Sequence, residues 1–359
     1  MREEVRARKA NTHTNSLPPC KVEGMEWDSE LVELKKMVDR RLKGEPLQYI
    51  LGGYGTNFPP ASQGATNPLH RRVELSLLLT NTYIGNQPFG QIMIKTRAPT
   101  LIPRPETEDW TIRLASALEH RFPVKNAIGE RRALRMLDLC TGTGCIPILL
   151  SHLRRKAGGI TVAYGVDIST HAVTLARENA TDQSLTPSSS LDRAGGRTHH
   201  GRGMISGIAT NGRGGGHSSG LDVIRADILG EDFEQIVLSR MEPPFDVITS
   251  NPPYIPLDEY EGLPDSVKEW EDRKALLGDL PTDRFGGDSS QGRGLAFYHR
   301  IAQIVSTDGV FGANGVIALE VGHTQAEEVR EILENTKRVS FTEVWKDPWD
   351  VPRAVVGYR

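Results

Sequence analysis

The sequence predicts an α/β fold built around a largely parallel sheet. Two observations carry that prediction. From residue 133 onward, short apolar runs alternate with stretches of helical periodicity, the pattern of a doubly wound sheet. The first of those runs also feeds a glycine-containing loop that opens a helix, Asp138-Leu139-Cys140-Thr141-Gly142-Thr143-Gly144, as nucleotide-binding turns do.

The elements follow in order. Leu31, Leu34, Val38 and Leu42 recur at helical spacing between charges, with Asp28 or Ser29 to cap them and Gly44 and Pro46 to stop them, so a helix is expected over 28–43. Residues 51–87 lose periodicity among Gly52, Gly53, Gly55, Pro59 and Pro60 and read as an irregular insertion or linker. Residues 88–103 look extended. Pro105, Glu106 and Glu108 then suit the first turn of a helix reaching Arg121, where a missing N–H and negative charge are both tolerated. Strands are expected at 133–139, 160–166, 221–225, 245–249, 315–321, 339–345 and 354–358, and helices at 144–156, 169–180, 295–305 and 324–336. The last two strands have no helix between them, so an antiparallel hairpin should close one edge of the sheet.

Composition narrows the class. Only 38% of the 359 residues are hydrophobic, while glycine (36) and proline (22) are abundant, so polar passengers dilute the core. One is 184–220, whose 37 residues include ten glycines and seven serines. Such a segment buries too little to offset its ordering entropy and is expected to be disordered. It carries His199, His200 and His217, which read as a solvated tract rather than a metal site. A second passenger spans 279–291. No run of 18 apolar residues exists to span a membrane. A net charge of −3 and a pI near 6.4 lack the basic footprint of a nucleic-acid binder. Cys20, Cys140 and Cys145 form no CxxC pair and no disulfide framework, which suits a reducing, intracellular chain without zinc. The first 20 residues lack the apolar core of a secretory signal.

The chemistry gathers at strand ends. The glycine loop reads GxGxxP, with Pro147 in place of a third glycine and no P-loop lysine. Asp138 puts a carboxylate against that loop, which suits a ligand with an amine-bearing end better than a pyrophosphate. Asp167 ends the second strand and can accept from both ribose hydroxyls. The competing reading is helix capping, which Ser169 could take over. Asp227 and Ile228 follow the third strand, where Asp227 could accept from an adenine amine and Ile228 pack on the ring; ordinary turn chemistry is the alternative.

The sharpest signal follows the fourth strand: Ser250-Asn251-Pro252-Pro253-Tyr254. Two prolines fix a rigid extended turn. The Asn251 side-chain oxygen and the Pro252 carbonyl are two acceptors able to hold a planar NH2 by both hydrogens, with Tyr254 offering a flat face for stacking. Ser250 has no His–Asp pair to activate it, so hydrolysis is not expected.

These residues resemble the class I S-adenosylmethionine-dependent methyltransferases, and among them the HemK/PrmC-type glutamine-N5 methyltransferases of translation release factors. Asn-Pro-Pro-Tyr alone is shared with amino-methyltransferases of nucleic acids, so an adenine methyltransferase is the alternative. The narrowing strings are 44–52 (GEPLQYILG), 101–108 (LIPRPETE), 271–278, 294–298, 319–323 with Gln325, and Lys346, Asp347 and Arg353. The resemblance implies a Rossmann-like seven-stranded sheet preceded by a short helical N-terminal region. It implies S-adenosylmethionine bound by Asp138, Cys140, Thr141, Gly142, Thr143, Gly144, Asp167, Asp227, Ile228 and Asn251. It further implies a substrate glutamine held by Asn251, Pro252, Pro253 and Tyr254, with Asn251, Pro252 and Tyr254 as the catalytic set, and no metal. Cys140 replaces the family's usual glycine. The expected partner is a release factor, methylated on its Gly-Gly-Gln glutamine by a monomer that binds neither nucleic acid nor membrane directly. The expected compartment is the mitochondrion, otherwise the cytoplasm. The division is a helical N-terminal region (1–50, its first 25 or so residues disordered), a linker (51–87) and a methyltransferase domain (88–359) with inserts at 184–220 and 279–291.

Overall fold

The structure is a computed structural model, which describes residues 29–46, 86–125, 129, 132–185, 219–279 and 292–359. The expectations for residues 1–28, for 51–85, for the bulk of the first insert with its three histidines and for the bulk of the second lie outside the described residues.

The first helix, α1 (Ser29–Leu42), occupies its expected span. From its last turn, Arg40 Nε donates to Glu45 Oε2, just past the helix end, at 2.7 Å. The extended stretch is a two-stranded antiparallel hairpin, β1 (Asn86–Phe89) and β2 (Ile92–Lys95). It begins two residues earlier than expected, because Asn86 and Gln87 pair with Lys95 and Ile94 rather than belonging to the linker. Buried Phe89, Ile92 and Ile94 hold the hairpin against the body of the fold.

The main sheet has seven strands: β3 (Leu134–Leu139), β4 (Thr161–Asp167), β5 (Gly220–Arg225), β6 (Phe245–Ser250), β7 (Phe311–Glu320), β8 (Phe341–Lys346) and β9 (Pro352–Tyr358). Their order is β5-β4-β3-β6-β7-β9-β8. The first five run parallel to one another, while β9 is antiparallel to both β7 and β8. The C-terminal hairpin therefore closes one edge, but its second strand lies inside, between β7 and β8. Burial explains the order: Ala354, Val355, Val356 and Gly357 are all buried, whereas β8 is mostly exposed or half-buried.

Two apolar layers cover the sheet. One gathers Trp110, Leu114, Ile148, Leu149 and Val173 from α2 (Pro105–Arg121), α3 (Cys145–Lys156) and α4 (Thr170–Asp182). The other gathers Phe233, Tyr298, Ile301 and Val329 from α5 (Phe233–Arg240), α9 (Ala296–Ser306) and α10 (Ala326–Asn335). Three short helices separate β6 from α9: α6 (Leu257–Glu261), α7 (Asp265–Lys268) and α8 (Arg273–Leu276). Helix α5 was not anticipated. It is eight residues long and buries only Phe233 and Val237, too few positions to reveal a period.

Both inserts have firmer edges than their composition suggests. Leu185 and Ser219 are buried, and the Ser219 hydroxyl accepts from the Thr161 N–H at 3.1 Å. Asp279 is an anchor rather than part of the insert. Its two oxygens accept from the N–H groups of Leu257 and Gly294, each at 2.8 Å.

The sheet order creates the site. From β3 the chain steps outward to β4 and β5, then returns to the other side of β3 as β6. The carboxyl ends of β3 and β6 thus open side by side at a topological switch point, where ligands bind in open α/β sheets.

Candidate active site

The loop after β3 turns sharply into α3. Thr141 N–H donates to the Val166 carbonyl at 2.9 Å and Gly144 N–H to the Thr141 carbonyl at 2.8 Å. Gly144 has φ 79°, and a Cβ there would lie 3.2 Å from the Ala176 Cβ, so glycine lets the loop pack on α4. Cys140 also has positive φ, 57°. The residue that departs from the family's glycine therefore sits where an L side chain is strained.

Asp167 holds this loop from the next strand. Its Oδ2 accepts from Gly142 N–H at 2.9 Å and its Oδ1 from Ser169 N–H at 2.8 Å. Ser169 caps α4 by accepting from Ala172 N–H. A carboxylate has about four lone-pair sites, so acceptor capacity remains on Asp167 for hydroxyls. Burial raises its pKa. Asp227 makes an Asx-type turn, accepting from Leu229 N–H at 3.0 Å, and Ile228 is packed into the core beside it.

Asp138 is 1% exposed. Its Oδ1 accepts from the Thr249 hydroxyl at 2.6 Å, while its Oδ2 and the Thr141 hydroxyl are buried without a completed hydrogen bond. Burial is the main cause that pushes this carboxyl up to about 7, against the pull of the bonded Thr249 hydroxyl and of the Thr141 hydroxyl, which lies near without a bond of hydrogen-bonding geometry. A buried, under-partnered carboxylate oxygen at a glycine loop fits the amine-bearing end of S-adenosylmethionine. Among the described residues no cluster could hold a metal.

The turn after β6 is tied to the same place. Besides the Thr249–Asp138 bond, the Ser250 hydroxyl donates to the Leu139 carbonyl at 2.7 Å. Ser250 is therefore a strut between the two strand ends. Pro252 and Pro253 are buried, and Asn251 and Tyr254 half-buried. Desolvation raises the Tyr254 pKa, with the Glu320 charge adding to it, so the phenol stays neutral at working pH.

Residues far away in sequence support this turn. Gln325 Nε2 donates to the Tyr254 carbonyl at 2.8 Å and to the Arg293 carbonyl at 2.6 Å, while its Oε1 accepts from Gly322 N–H. Gly294 has φ 66°, and a Cβ there would fall 2.0 Å from the Tyr254 carbonyl oxygen; only glycine fits. Arg104 donates to both oxygens of buried Glu271 at 2.9 and 2.7 Å. Asn251 Nδ2 donates to the Thr107 hydroxyl at 3.3 Å, and that hydroxyl donates to buried Glu320 at 2.6 Å. Thr107, Glu320, Gly294 and Gln325 lie in the strings that carry the resemblance, but neither periodicity nor spacing pointed to a role for them. An open groove of about 550 Å³ beside His299, Gln303 and Asn335 gathers none of the candidate residues.

The strand order, the glycine loop with its acidic partners and the Asn-Pro-Pro-Tyr turn define a class I S-adenosylmethionine-dependent methyltransferase. The pattern of the PrmC N-terminal domain matches residues 27–52. A release factor glutamine methyltransferase of Aquifex aeolicus is 30% identical over 74% of this chain and 70% of its own length. The fission-yeast (Schizosaccharomyces pombe) protein named probable MRF1 mitochondrial N(5)-glutamine methyltransferase mtq1 is 31% identical over 70% of this chain and 67% of its own length. The solved protein-(glutamine-N5) methyltransferase (release factor-specific) of Alicyclobacillus acidocaldarius aligns at 20% identity over 72% of this chain and 94% of its own, with a TM-score of 0.33. The chain belongs to the release factor glutamine methyltransferase family.

Proposed function

We propose that this chain methylates the side-chain amide nitrogen of the Gly-Gly-Gln glutamine of a release factor, with Asn251, Pro252 and Tyr254 as the residues that hold it. One observation carries the placement. The cofactor-type loop and the amide-gripping turn follow adjacent strands whose last residues are bonded to each other, Thr249 to Asp138 at 2.6 Å and Ser250 to Leu139 at 2.7 Å. A donor bound on one loop and an acceptor nitrogen held by the other would meet without either element moving.

S-adenosylmethionine, when bound, supplies an electrophilic methyl on a sulfonium sulfur. Asp138 takes its amine end, the backbone of Cys140 to Gly144 lines it, Asp167 accepts from the ribose, and Asp227 and Ile228 flank the base. The glutamine amide nitrogen is a weak nucleophile because its lone pair is delocalised into the carbonyl. Asn251 Oδ1 and the Pro252 carbonyl accept its two hydrogens, which draws electron density toward nitrogen and fixes the direction of attack. Tyr254 stacks on the planar amide, and Pro253 keeps the turn rigid. The chain is read as a helical N-terminal region, a linker, and a catalytic domain starting near Asn86. It acts as a monomer on a protein partner, without direct nucleic-acid or membrane contact, and the fission-yeast relative supports a mitochondrial location. Among the described residues no helix is long and apolar enough to cross a membrane.

Mass spectrometry of candidate release factors after incubation with the chain and S-adenosylmethionine tests this reading. A single methyl on the Gly-Gly-Gln glutamine supports it. Label transferred to RNA or DNA but not to a release factor contradicts it.

A further inference from the structure

The hydrogen bonds behind Asn251 have a direction. Glu320 is buried in the sheet at the end of β7, and its Oε2 accepts from the Trp110 indole N–H at 2.8 Å and from the Thr107 hydroxyl at 2.6 Å. Burial raises the Glu320 pKa, while the Thr107 and Trp110 donors pull against that rise. With both donors placed on Oε2, the single hydroxyl hydrogen of Thr107 is committed to that oxygen. Toward Asn251 the Thr107 oxygen can only accept. The Asn251 group facing it at 3.3 Å must therefore be the NH2. The side-chain oxygen is left on the other side, as the acceptor a substrate amide requires. Were the Thr107 hydroxyl free to rotate, the Asn251 amide could flip and present two donors to a substrate that is itself a donor.

We propose that Glu320 and Thr107 are positioning residues for the methyl transfer, a one-way relay from carboxylate to hydroxyl to amide that locks the Asn251 oxygen toward the acceptor nitrogen. The relay rests on the reading of Asn251 as the holder of the substrate amide. It joins three distant parts of the chain: the first turn of α2, the end of β7 and the turn after β6. Through the relay, the carboxylate also raises the acceptor strength of the Asn251 oxygen, since aligned hydrogen bonds polarise one another. As the nitrogen takes up the methyl and the methyl–sulfur bond breaks to leave a neutral thioether, positive charge grows on the nitrogen's two hydrogens, and that oxygen is the atom placed to stabilise it. One of those protons then leaves to solvent, giving the neutral N-methyl amide.

The test uses the full chain with a release factor carrying Gly-Gly-Gln, comparing Thr107→Val, Thr107→Ser and Glu320→Gln. Thr107→Val keeps the shape of the side chain and removes the hydroxyl. It should lower kcat by ~100-fold, the cost of a misplaced catalytic group, while cofactor affinity stays within about 3-fold and the melting temperature falls by only a few degrees, the cost of one buried hydrogen bond lost. Thr107→Ser should recover kcat to within about 3-fold, and Glu320→Gln should lose about 10-fold. A readout independent of turnover is the NMR signal of the Asn251 side-chain NH2, identified by its loss in Asn251→Ala. Its exchange with solvent should quicken in Thr107→Val and return to the wild-type rate in Thr107→Ser. Wild-type kcat in Thr107→Val or in Glu320→Gln, no rescue by serine, or unchanged exchange would overturn the relay while leaving the glutamine reading in place. A wild-type chain unable to methylate the release factor overturns both.

Discussion

The two turns that make the site are built differently. The loop after β3 is local. Its bonds run to the adjacent strand β4 and to Asn179 near the end of α4, and its shape comes from backbone geometry at 140–144. Its buried polar groups are left partly unpartnered at Asp138 Oδ2 and Thr141 Oγ1. The turn after β6 is the reverse. Thr107, Gly294, Glu320 and Gln325, from 40 to 144 residues away in sequence, hold it from several sides. On the proposed reading, a loop that receives a charged cofactor keeps its capacity open, and a turn that aims an amide is fixed beforehand, because placement within a fraction of an ångström sets the rate.

Four substitutions break or sharpen that contrast. The largest effect is expected on the fixed turn. Asn251→Ala should cut methyl transfer by at least ~1,000-fold, as loss of a preorganised polar contact does, with cofactor binding retained in calorimetry; full activity would remove Asn251 from the mechanism. Next is the turn's backing. Gly294→Ala places a methyl on the Tyr254 carbonyl at positive φ and should destabilise the fold by about 3 kcal/mol in denaturant melts. Turnover should fall further than cofactor affinity.

The open loop should respond in the opposite sense. Asp138→Asn should weaken cofactor binding by about 100-fold, the loss expected for a charge-assisted contact, yet raise the melting temperature of the cofactor-free protein at pH 8. The sign follows from the raised carboxyl pKa. The folded chain holds that proton up to about pH 7, compared with 3.8 for an ordinary aspartate. Stability present at low pH is thus lost as pH rises through 7, and asparagine avoids the loss. A pH-independent melting temperature in the wild type, once other groups are matched by the variant, would contradict it. The smallest effect is at Cys140. Cys140→Gly relieves a left-handed backbone and should stabilise by about 1 kcal/mol, with kcat unchanged within error.

The same contrast explains what the sequence made legible. The β3 loop announces itself, because glycines at 142 and 144, a preceding acid and a following apolar helix lie in one string. Asp167 follows at its usual separation. The buried strands were visible for a similar reason, since they carry short apolar runs such as Val316-Ile317-Ala318-Leu319. The relay behind Asn251 was not legible. Nothing in the spacing of Thr107, Asn251 and Glu320 says they touch, and only the sheet order brings α2, β6 and β7 together. The resemblance supplied those strings without their roles. The place of β9 between β7 and β8 was hidden too, because a hairpin prediction fixes pairing but not which strand faces the sheet. Helix α5 escaped for want of period, and Asp279 because it sits at the lip of a glycine-rich insert whose composition masks it.

The central claim is that the turn after β6 holds a release factor glutamine for methylation at nitrogen. The most direct measurement is fragmentation mass spectrometry of the Gly-Gly-Gln peptide from a release factor treated with the wild-type chain and, in parallel, with Asn251→Ala at saturating S-adenosylmethionine. One methyl on the glutamine side chain in the first sample and none in the second is the predicted result. An unmodified glutamine in both, with the cofactor shown to bind, would contradict it.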